Sequence, residues 1–178
     1  MIRIDHNFYL SGYNLEDAVR LAETINDVEI SNNTLTIPYP YELEDAEWFL
    51  QYCETHKQSN QPIKNWALRN NQGQVCGSIA RHYKYGPKSH KDELGYWLMR
   101  PLWGQGLMTK IVRTFTDYCF ESEGLTRLEA PIFENNKASG RVLEKAGFGL
   151  EGRMAKAYLK DDVFLDGLLY AKTCNRVV

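Results

Sequence analysis

The sequence of 178 residues lacks the features that mark several large classes of protein. No apolar run approaches the ~18 residues of a membrane-spanning helix, and the first residues have no apolar segment typical of a secretory signal. The four cysteines are too scattered for a Cys-x-x-Cys pair, and no histidine stands at metal-ligand spacing from them. They are Cys53, Cys76, Cys119 and Cys174. We therefore expect free thiols, no metal site and a soluble, cytoplasmic protein.

The chain also lacks a strong charge of either sign. Its formal net charge is −2 and its isoelectric point is near 6.1, which gives no bulk attraction to nucleic acid or to an anionic membrane. We expect neither as a partner. A hydrophobic content of 43% suits one well-buried core at this length, so we expect a single domain over residues 1–178. The sequence leaves a homo-oligomer open.

Residues 92–109 carry the most informative pattern in the chain. Residues 94–99 form an apolar run, which predicts a strand that ends at Arg100-Pro101. Gly104 and Gly106 then flank a tight turn, and apolar residues recur at helical spacing from Gly106 to about residue 123. The predicted order is strand, turn and helix.

The glycine-lined helix start indicates an anion site. Unpaired backbone N–H groups and the helix dipole together favour a phosphate there without any charged side chain. An ordinary strand-to-helix connection is the alternative. The dinucleotide motif Gly-x-Gly-x-x-Gly is absent, because Thr109 stands at its third glycine, and no Gly-Lys-Ser/Thr of a P-loop follows.

The rest of the chain predicts a mixed α/β domain. The patterns indicate a strand at residues 7–11, a helix capped by Asn14, an extended stretch at 34–37 and a helix over 42–57. A hairpin follows at 63–83, and after the central helix come a strand at 127–133, a short helix and two final strands at 148–158 and 163–171. Hairpins in the first half and a strand-helix-strand crossover in the second predict a mixed sheet.

The central segment resembles the pyrophosphate-binding loop of the GNAT N-acetyltransferase superfamily, in the form of its RimJ/RimL branch. The resemblance rests on Gly-Tyr-Trp, then Pro, an aromatic residue and Gly-x-Gly before a helix. It continues in Asn136-Lys137-Ala138-Ser139 and in the run from Leu143 to Phe148. It implies acetyl-coenzyme A as co-substrate, no metal, and a primary amine as acceptor, either a protein N-terminus or a small amine.

The resemblance also implies a fold and a set of cofactor contacts. The fold would be a mainly antiparallel, twisted mixed sheet of about seven strands, with helices on both faces and splayed central strands. The pantetheine arm would bond to backbone groups near Leu98 and Met99. Asn136 has two compatible roles, as helix N-cap and as a polar contact to the pantetheine amides. The remaining cofactor residues form the turn and helix start: Trp103, Gly104, Gln105, Gly106, Leu107, Met108 and Thr109.

Two side chains are the catalytic candidates. Glu93 stands where many members of the superfamily carry the carboxylate that takes the amine proton, although it also fits an exposed strand end. Relatives often place a tyrosine acid seven residues after the asparagine, but this chain has Leu143 there. The RimJ/RimL pattern implies Ser139 as the proton donor to the leaving thiolate, and a helix-capping hydroxyl is the alternative.

Two functional hypotheses follow. The first is an acetyl-coenzyme-A-dependent N-acetyltransferase that works by direct attack of the amine on the thioester. The second is a catalytically weak acyl-coenzyme-A-binding or sensing domain, which the absence of the usual tyrosine allows. A dinucleotide-dependent oxidoreductase fits worse, because the third glycine and a suitable βαβ start are both missing.

Overall fold

A computed structural model describes residues 1–58, 63–86 and 88–174. The chain forms two compact units. The first comprises Met1–Ala80 and Tyr96–Gln105, and the second comprises Arg81–Gly95 and Gly106–Val178. The single domain expected over residues 1–178 stays a prediction.

Helices and strands alternate irregularly along the chain. The α-helices are α1 (Ala18–Ile25), α2 (Val28–Asn32), α3 (Leu43–Gln58), α4 (Leu107–Glu121) and α5 (Lys137–Lys145). The strands are β1 (Ile2–Arg3), β2 (Phe8–Gly12), β3 (Asn65–Asn70), β4 (Val75–Arg81), β5 (Lys91–Leu98), β6 (Arg127–Phe133), β7 (Gly149–Lys160) and β8 (Val163–Thr173). Single 3₁₀ turns lie at Leu15–Asp17 and Arg100–Leu102.

In the first unit, β1 to β4 form consecutive antiparallel pairs. The hairpin between β3 and β4 turns at Gly73, whose φ is 81°, as the sequence predicts. A buried ion pair joins β3 to the segment before α1: Arg69 Nη2 lies 2.6 Å from Asp17 Oδ2. Because the same guanidinium donates to the carbonyls of Gly12 and Gly73, one buried cation holds three segments together.

In the second unit, α4 buries an apolar face at i, i+3 and i+4 spacing, which includes Ile111, Val112, Phe115 and Cys119. β6 pairs with β8 and β8 with β7, both antiparallel. Asp161 and Asp162 both have positive φ, at 49° and 61°, which matches a two-residue hairpin turn. Bounds predicted for α4, β6 and this hairpin agree with the structure to within a few residues.

β5 is common to both units and pairs with β6 in parallel over a short distance. Their register joins Lys91 to Arg127 and ends at Glu93 with Glu129, although both strands continue. This short ladder confirms the splayed central strands. The strand order is β1-β2-β3-β4-β5-β6-β8-β7, so the mixed, mainly antiparallel sheet is also confirmed, with eight strands instead of about seven.

The sequence patterns were incomplete at three places. The extended stretch expected at residues 34–37 is not part of a strand, and the sequence pattern missed α2, which is five residues long. Asp27 starts that helix, since its side chain accepts a hydrogen bond from the Glu29 N–H at 2.8 Å. The two-residue strand β1 is also too short for any periodicity to reveal. Among the described residues, no helix is long and apolar enough to cross a membrane.

Candidate active site

The predicted anion-binding turn has two glycines in the left-handed region. Gly104 has φ 74° and Gly106 has φ 75°, a conformation that strains L side chains. A Cβ atom built on either residue would meet no atom within 4 Å. The glycines are therefore required by the backbone conformation of the turn and not by a lack of space around it.

The start of α4 leaves backbone donors facing outwards. The first hydrogen bond of this helix runs from the Lys110 N–H to the Gly106 carbonyl at 3.2 Å, so the N–H groups of residues 107–109 precede the helical pattern. The first turn contains no acidic side chain. Leu107 and Met108 bury their side chains, which keeps both away from an anion at the helix end. The turn therefore has the charge and donors that a phosphate needs.

The Trp103 side chain contacts the end of β5. Its indole Nε1–H donates to the Leu98 carbonyl at 2.6 Å, and the Arg100 guanidinium lies 5.2 Å from the centroid of its ring. Arg100 in turn pairs with Asp27, with 2.6 Å between Nε and Oδ2. Periodicity does not predict these contacts, because Arg100 and Asp27 are 73 positions apart and the bond of Trp103 depends on the 3₁₀ turn at Arg100–Leu102.

The backbone groups expected to hold a pantetheine arm are already in use within the fold. The Met99 N–H donates to the Cys76 carbonyl at 3.0 Å, and the Leu98 carbonyl accepts from Trp103. Gln105 Nε2 donates to the Pro101 carbonyl at 2.8 Å, which stabilises the turn. A carbonyl has a second lone pair, so the contacts predicted at Leu98 and Met99 stay predictions.

Asn136 and Ser139 form the start of α5. The Asn136 side chain accepts a hydrogen bond from the Ser139 N–H at 3.0 Å, which is the helix-capping role predicted for it. Ser139 is 9% exposed. Its backbone N–H donates the hydrogen bond of the cap, and its role as proton donor stays a prediction.

Glu93 lies near the start of β5, beside a lysine that the sequence analysis did not single out. Its Oε2 atom is 2.8 Å from Lys84 Nζ. The neighbouring Asp92 is 1% exposed and accepts from the N–H groups of both residues, Lys84 at 3.2 Å and Glu93 at 2.8 Å. Asp92 thus fixes the backbone at both ends of the Lys84–Glu93 pair.

A second carboxylate, Glu129, faces the same region from β6. It accepts from the Tyr85 hydroxyl at 2.6 Å, from Arg127 Nε at 2.8 Å and from Lys91 Nζ at 3.1 Å. Burial alone would raise the pKa of the Glu129 carboxyl, but these three hydrogen bonds outweigh it and lower the pKa to about 2. Such a strongly paired carboxylate is a poor proton acceptor near neutral pH.

The direct contacts therefore place the predicted residues in three local groups. Trp103, Leu98 and Gln105 belong to the turn before α4, Asn136 and Ser139 to the start of α5, and Glu93 to a charged cluster with Lys84. A cavity of about 480 Å³ in the first unit involves none of them. It is lined by residues 11–14, 52–53, 56–57 and 63–65. Within the described ranges, no group of three or more His, Cys, Asp or Glu side chains could hold a metal ion.

Comparison with known protein families decides the identity of this arrangement. The family model described as "Acetyltransferase (GNAT) domain" matches residues 7–149, which includes the turn, Glu93, Asn136 and Ser139. The chain belongs to the GNAT acetyltransferase family. The superfamily predicted from residues 92–109 and 136–148 is confirmed.

Several relatives of this GNAT chain are named as N-acetyltransferases. "Uncharacterized N-acetyltransferase YoaA" of Bacillus subtilis (strain 168) is 27% identical over 145 residues, which cover 79% of this chain and 81% of that protein. "Ribosomal-protein-serine acetyltransferase" of Escherichia coli (strain K12) is 30% identical over 86 residues, or 48% of each chain. Ribosomal-protein acetyltransferases among the relatives agree with the predicted RimJ/RimL-like branch.

Solved structures support the same fold. A ribosomal-protein-S5-alanine acetyltransferase from Vibrio fischeri superposes with a TM-score of 0.85 and 20% identity, covering 98% of this chain and 97% of that one. The microcin C7 self-immunity acetyltransferase MccE, solved with acetyl-CoA and AMP, also gives a TM-score of 0.85, at 19% identity, and the match covers 96% and 94% of the two chains. At these identities the likeness establishes the GNAT fold.

The charged cluster of this GNAT chain generates a prediction about acid stability. The folded-state pKa of Glu129 is about 2, below its ordinary value of 4.5. The contribution of Glu129 to the unfolding free energy is therefore present above pH 4.5 and disappears as the pH falls towards 2. Glu129→Gln should lower the unfolding free energy near neutral pH by on the order of 2 kcal/mol. Urea titrations from pH 2 to 7 should show that the unfolding free energy falls less below pH 4.5 in the variant than in the wild type. Glu23→Gln, which alters an exposed helix pair, is the control, and parallel curves for wild type and Glu129→Gln would contradict the assignment.

Proposed function

We propose that this chain is an acetyl-CoA-dependent N-acetyltransferase that transfers the acetyl group directly to the N-terminal α-amine of a protein. The carrying observation is the left-handed glycine turn at the start of α4, whose φ values and open donors suit a pyrophosphate. A cytoplasmic location is part of the proposal, since ribosomal proteins are substrates of the kind that several relatives' names describe.

The turn fits the diphosphate of coenzyme A on three physical grounds. The donors of residues 107–109 precede the helical hydrogen bonds, the positive end of the helix dipole lies there, and no carboxylate occupies the first turn. Bound acetyl-CoA would supply an activated thioester carbonyl. The chain would hold its diphosphate with residues 103–109, and Asn136 would add a polar contact if its amide nitrogen faces the ligand, because its oxygen already caps α5.

Glu93 is the proposed base. Of the carboxylates near the start of β5, Asp92 is buried against Arg81 and two N–H groups, and Glu129 accepts from three side chains. Glu93 pairs with a lysine that is 55% exposed and that can move into solvent. Glu93 is therefore the carboxylate that can accept a proton from an amine at the smallest loss of existing interactions.

Ser139 is the proposed proton donor to the sulfur. As the amine nitrogen bonds to the carbonyl carbon and the C–S bond breaks, the thiolate gains the electron pair and takes a proton from the Ser139 hydroxyl, which water then restores. The amine proton passes to Glu93 and returns through solvent to the Ser139 oxygen, so both side chains regain their starting states and charge and atoms balance. Support for this role is the position of Ser139 at the start of α5, three residues after the Asn136 that caps the helix, which matches the RimJ/RimL pattern.

An acyl-CoA-binding or sensing domain is the second candidate, because Leu143 replaces the tyrosine acid of many relatives and is fully buried. The test is thiol release from acetyl-CoA in the presence of peptides with a free N-terminus. We expect turnover that requires both substrates and an acetylated N-terminus in the product by mass spectrometry. Coenzyme A binding without turnover on any peptide would support the sensing domain instead.

Cofactor binding should depend on the backbone conformation at Gly106. Gly106→Ala should weaken coenzyme A affinity about tenfold or more, since the strained residue shifts the donors of the first helical turn, and a charge-assisted hydrogen bond is worth about 1.5–3 kcal/mol. Calorimetric titration measures the affinity. Gly124→Ala is a matched control, because Gly124 also has a positive φ, of 71°, and open space around its Cβ position. Gly106→Ala and Gly124→Ala should lose similar stability, and only the first should lose coenzyme A affinity. If both variants bind coenzyme A equally well, the diphosphate does not lie at the turn before α4.

Ser139→Ala should reduce kcat while leaving the affinity for acetyl-CoA almost unchanged. Loss of a general acid costs about 10²-fold or more in rate, whereas the helix cap, made by the Ser139 N–H, survives the substitution. Steady-state thiol release gives kcat, and thermal shift with acetyl-CoA reports binding. Ser122→Ala, at the exposed end of α4, should match the wild type. A wild-type kcat for Ser139→Ala would mean that water protonates the thiolate.

A further inference from the structure

A cation occupies the position where the proposed base would receive its proton. Lys84 Nζ lies 2.8 Å from Glu93 Oε2, and the two side chains are 55% and 17% exposed. The hydrogen bond to Glu93 raises the pKa of Lys84, and partial burial only opposes that rise. The carboxylate is thus shielded from water by a charged amine that itself reaches solvent.

The backbone holds this pair in place from both sides. Asp92 Oδ1 accepts from the Lys84 N–H and the Glu93 N–H, while Asp92 Oδ2 accepts from Arg81 Nε at 3.0 Å. The Glu93 carbonyl also accepts from the His82 N–H at 2.9 Å. The segment that carries Lys84 is therefore fixed to the strand that carries Glu93, and the ion pair is a property of the fold.

Other titratable groups face the pair from neighbouring elements. On β6, Glu129 is the register partner of Glu93. On β7, burial raises the pKa of the Tyr158 hydroxyl, Glu93 raises it further, and Lys84 lowers it. The His82 ring lies against Gly95, two residues along the same face of β5. Lys84 is the cation in direct contact with the Glu93 carboxylate.

We propose that Lys84 determines acceptor specificity: it favours amines that are largely neutral near pH 8, such as a peptide α-amine, over alkylamines such as a lysine side chain. The inference rests on the proposed role of Glu93 as base. A protonated acceptor must approach Glu93 against the charge of Lys84 or displace it, whereas a neutral amine meets no such repulsion. The α-amine has a pKa of about 7.7–8.0 and the lysine side chain one of about 10.4.

The size of the effect follows from the exposure of the pair. A partly exposed ion pair is worth up to about 1 kcal/mol, which corresponds to about a fivefold change in an equilibrium constant. Lys84→Met leaves the Glu93 charge uncompensated, so the carboxylate attracts a protonated acceptor instead of the lysine. The variant should therefore gain activity on protonated acceptors.

The experiment compares two peptides of otherwise identical sequence. One has a free N-terminus and no lysine, and the other has an acetylated N-terminus and one lysine. At about pH 8.5 most α-amines but only about 1% of lysine side chains are neutral. The ratio of kcat/KM for the two peptides should fall about fivefold in Lys84→Met, through a rise for the lysine peptide. At about pH 6.5, where both amines are protonated, the ratio should change little.

Two further variants separate charge from structure. Lys84→Arg keeps the positive charge and should keep the wild-type ratio. Lys57→Met removes an exposed lysine that pairs with Glu54 on α3. This variant should also keep the wild-type ratio of kcat/KM for the two peptides. A Lys84→Met variant that loses activity on both peptides equally at every pH would assign Lys84 a structural role and overturn the inference.

Glu93→Gln distinguishes this inference from the proposed function. If Glu93 is the base, the glutamine variant should lose more activity on the lysine peptide than on the α-amine peptide, because at pH 8.5 only the lysine side chain must lose a proton before it can attack. If Glu93→Gln behaves in this way and Lys84→Met leaves the ratio unchanged, the specificity role of Lys84 is wrong and the base assignment stands. If Glu93→Gln has a wild-type pH profile, the base assignment is wrong and the inference falls with it.

Discussion

Asp92 is 1% exposed, and the chemistry proposed for the second unit depends on the hydrogen bonds that its carboxylate accepts. One oxygen accepts from Arg81 and the other from the N–H groups of Lys84 and Glu93. Arg81 also pairs with Glu123 beyond the end of α4. Leaving either partner of such a pair buried alone costs about 3–5 kcal/mol, so the start of β5 and the loop that holds Lys84 are fixed to each other by a strong local constraint.

Much of the fold could be predicted from the sequence because it follows from local patterns. The helical spacing of apolar residues after Gly106 predicts α4, since that side of the helix is buried. Asn136 caps α5 as expected from its residue type. The two glycines at residues 104 and 106 predict a tight turn, and both have positive φ. Each of these features depends on neighbours within a few residues.

The parts that could not be predicted depend on side-chain contacts that no local periodicity encodes. Arg100 and Asp27 pair across 73 positions, and the bond from Trp103 to the Leu98 carbonyl, although it spans only five positions, depends on the 3₁₀ turn at Arg100–Leu102. Asp92 and Glu93 look alike in sequence, as a charged strand end, but the structure buries the first against Arg81 and leaves the second beside Lys84. No periodicity distinguishes two adjacent carboxylates, because burial and pairing come from other elements.

The arrangement of charge then separates structural from reactive carboxylates. Glu129 and Asp92 each accept three hydrogen bonds from different groups, and protonating either would leave several donors without an anion. Among the described residues, Glu93 has one side-chain hydrogen-bond partner, a lysine that is 55% exposed. A base must gain and lose a proton in every catalytic cycle, so the carboxylate with the fewest fixed partners is the one that can do so without disturbing the fold. Lys84 therefore competes with any cationic acceptor for the Glu93 carboxylate. The identity of the base and the selectivity for the amine depend on this same ion pair.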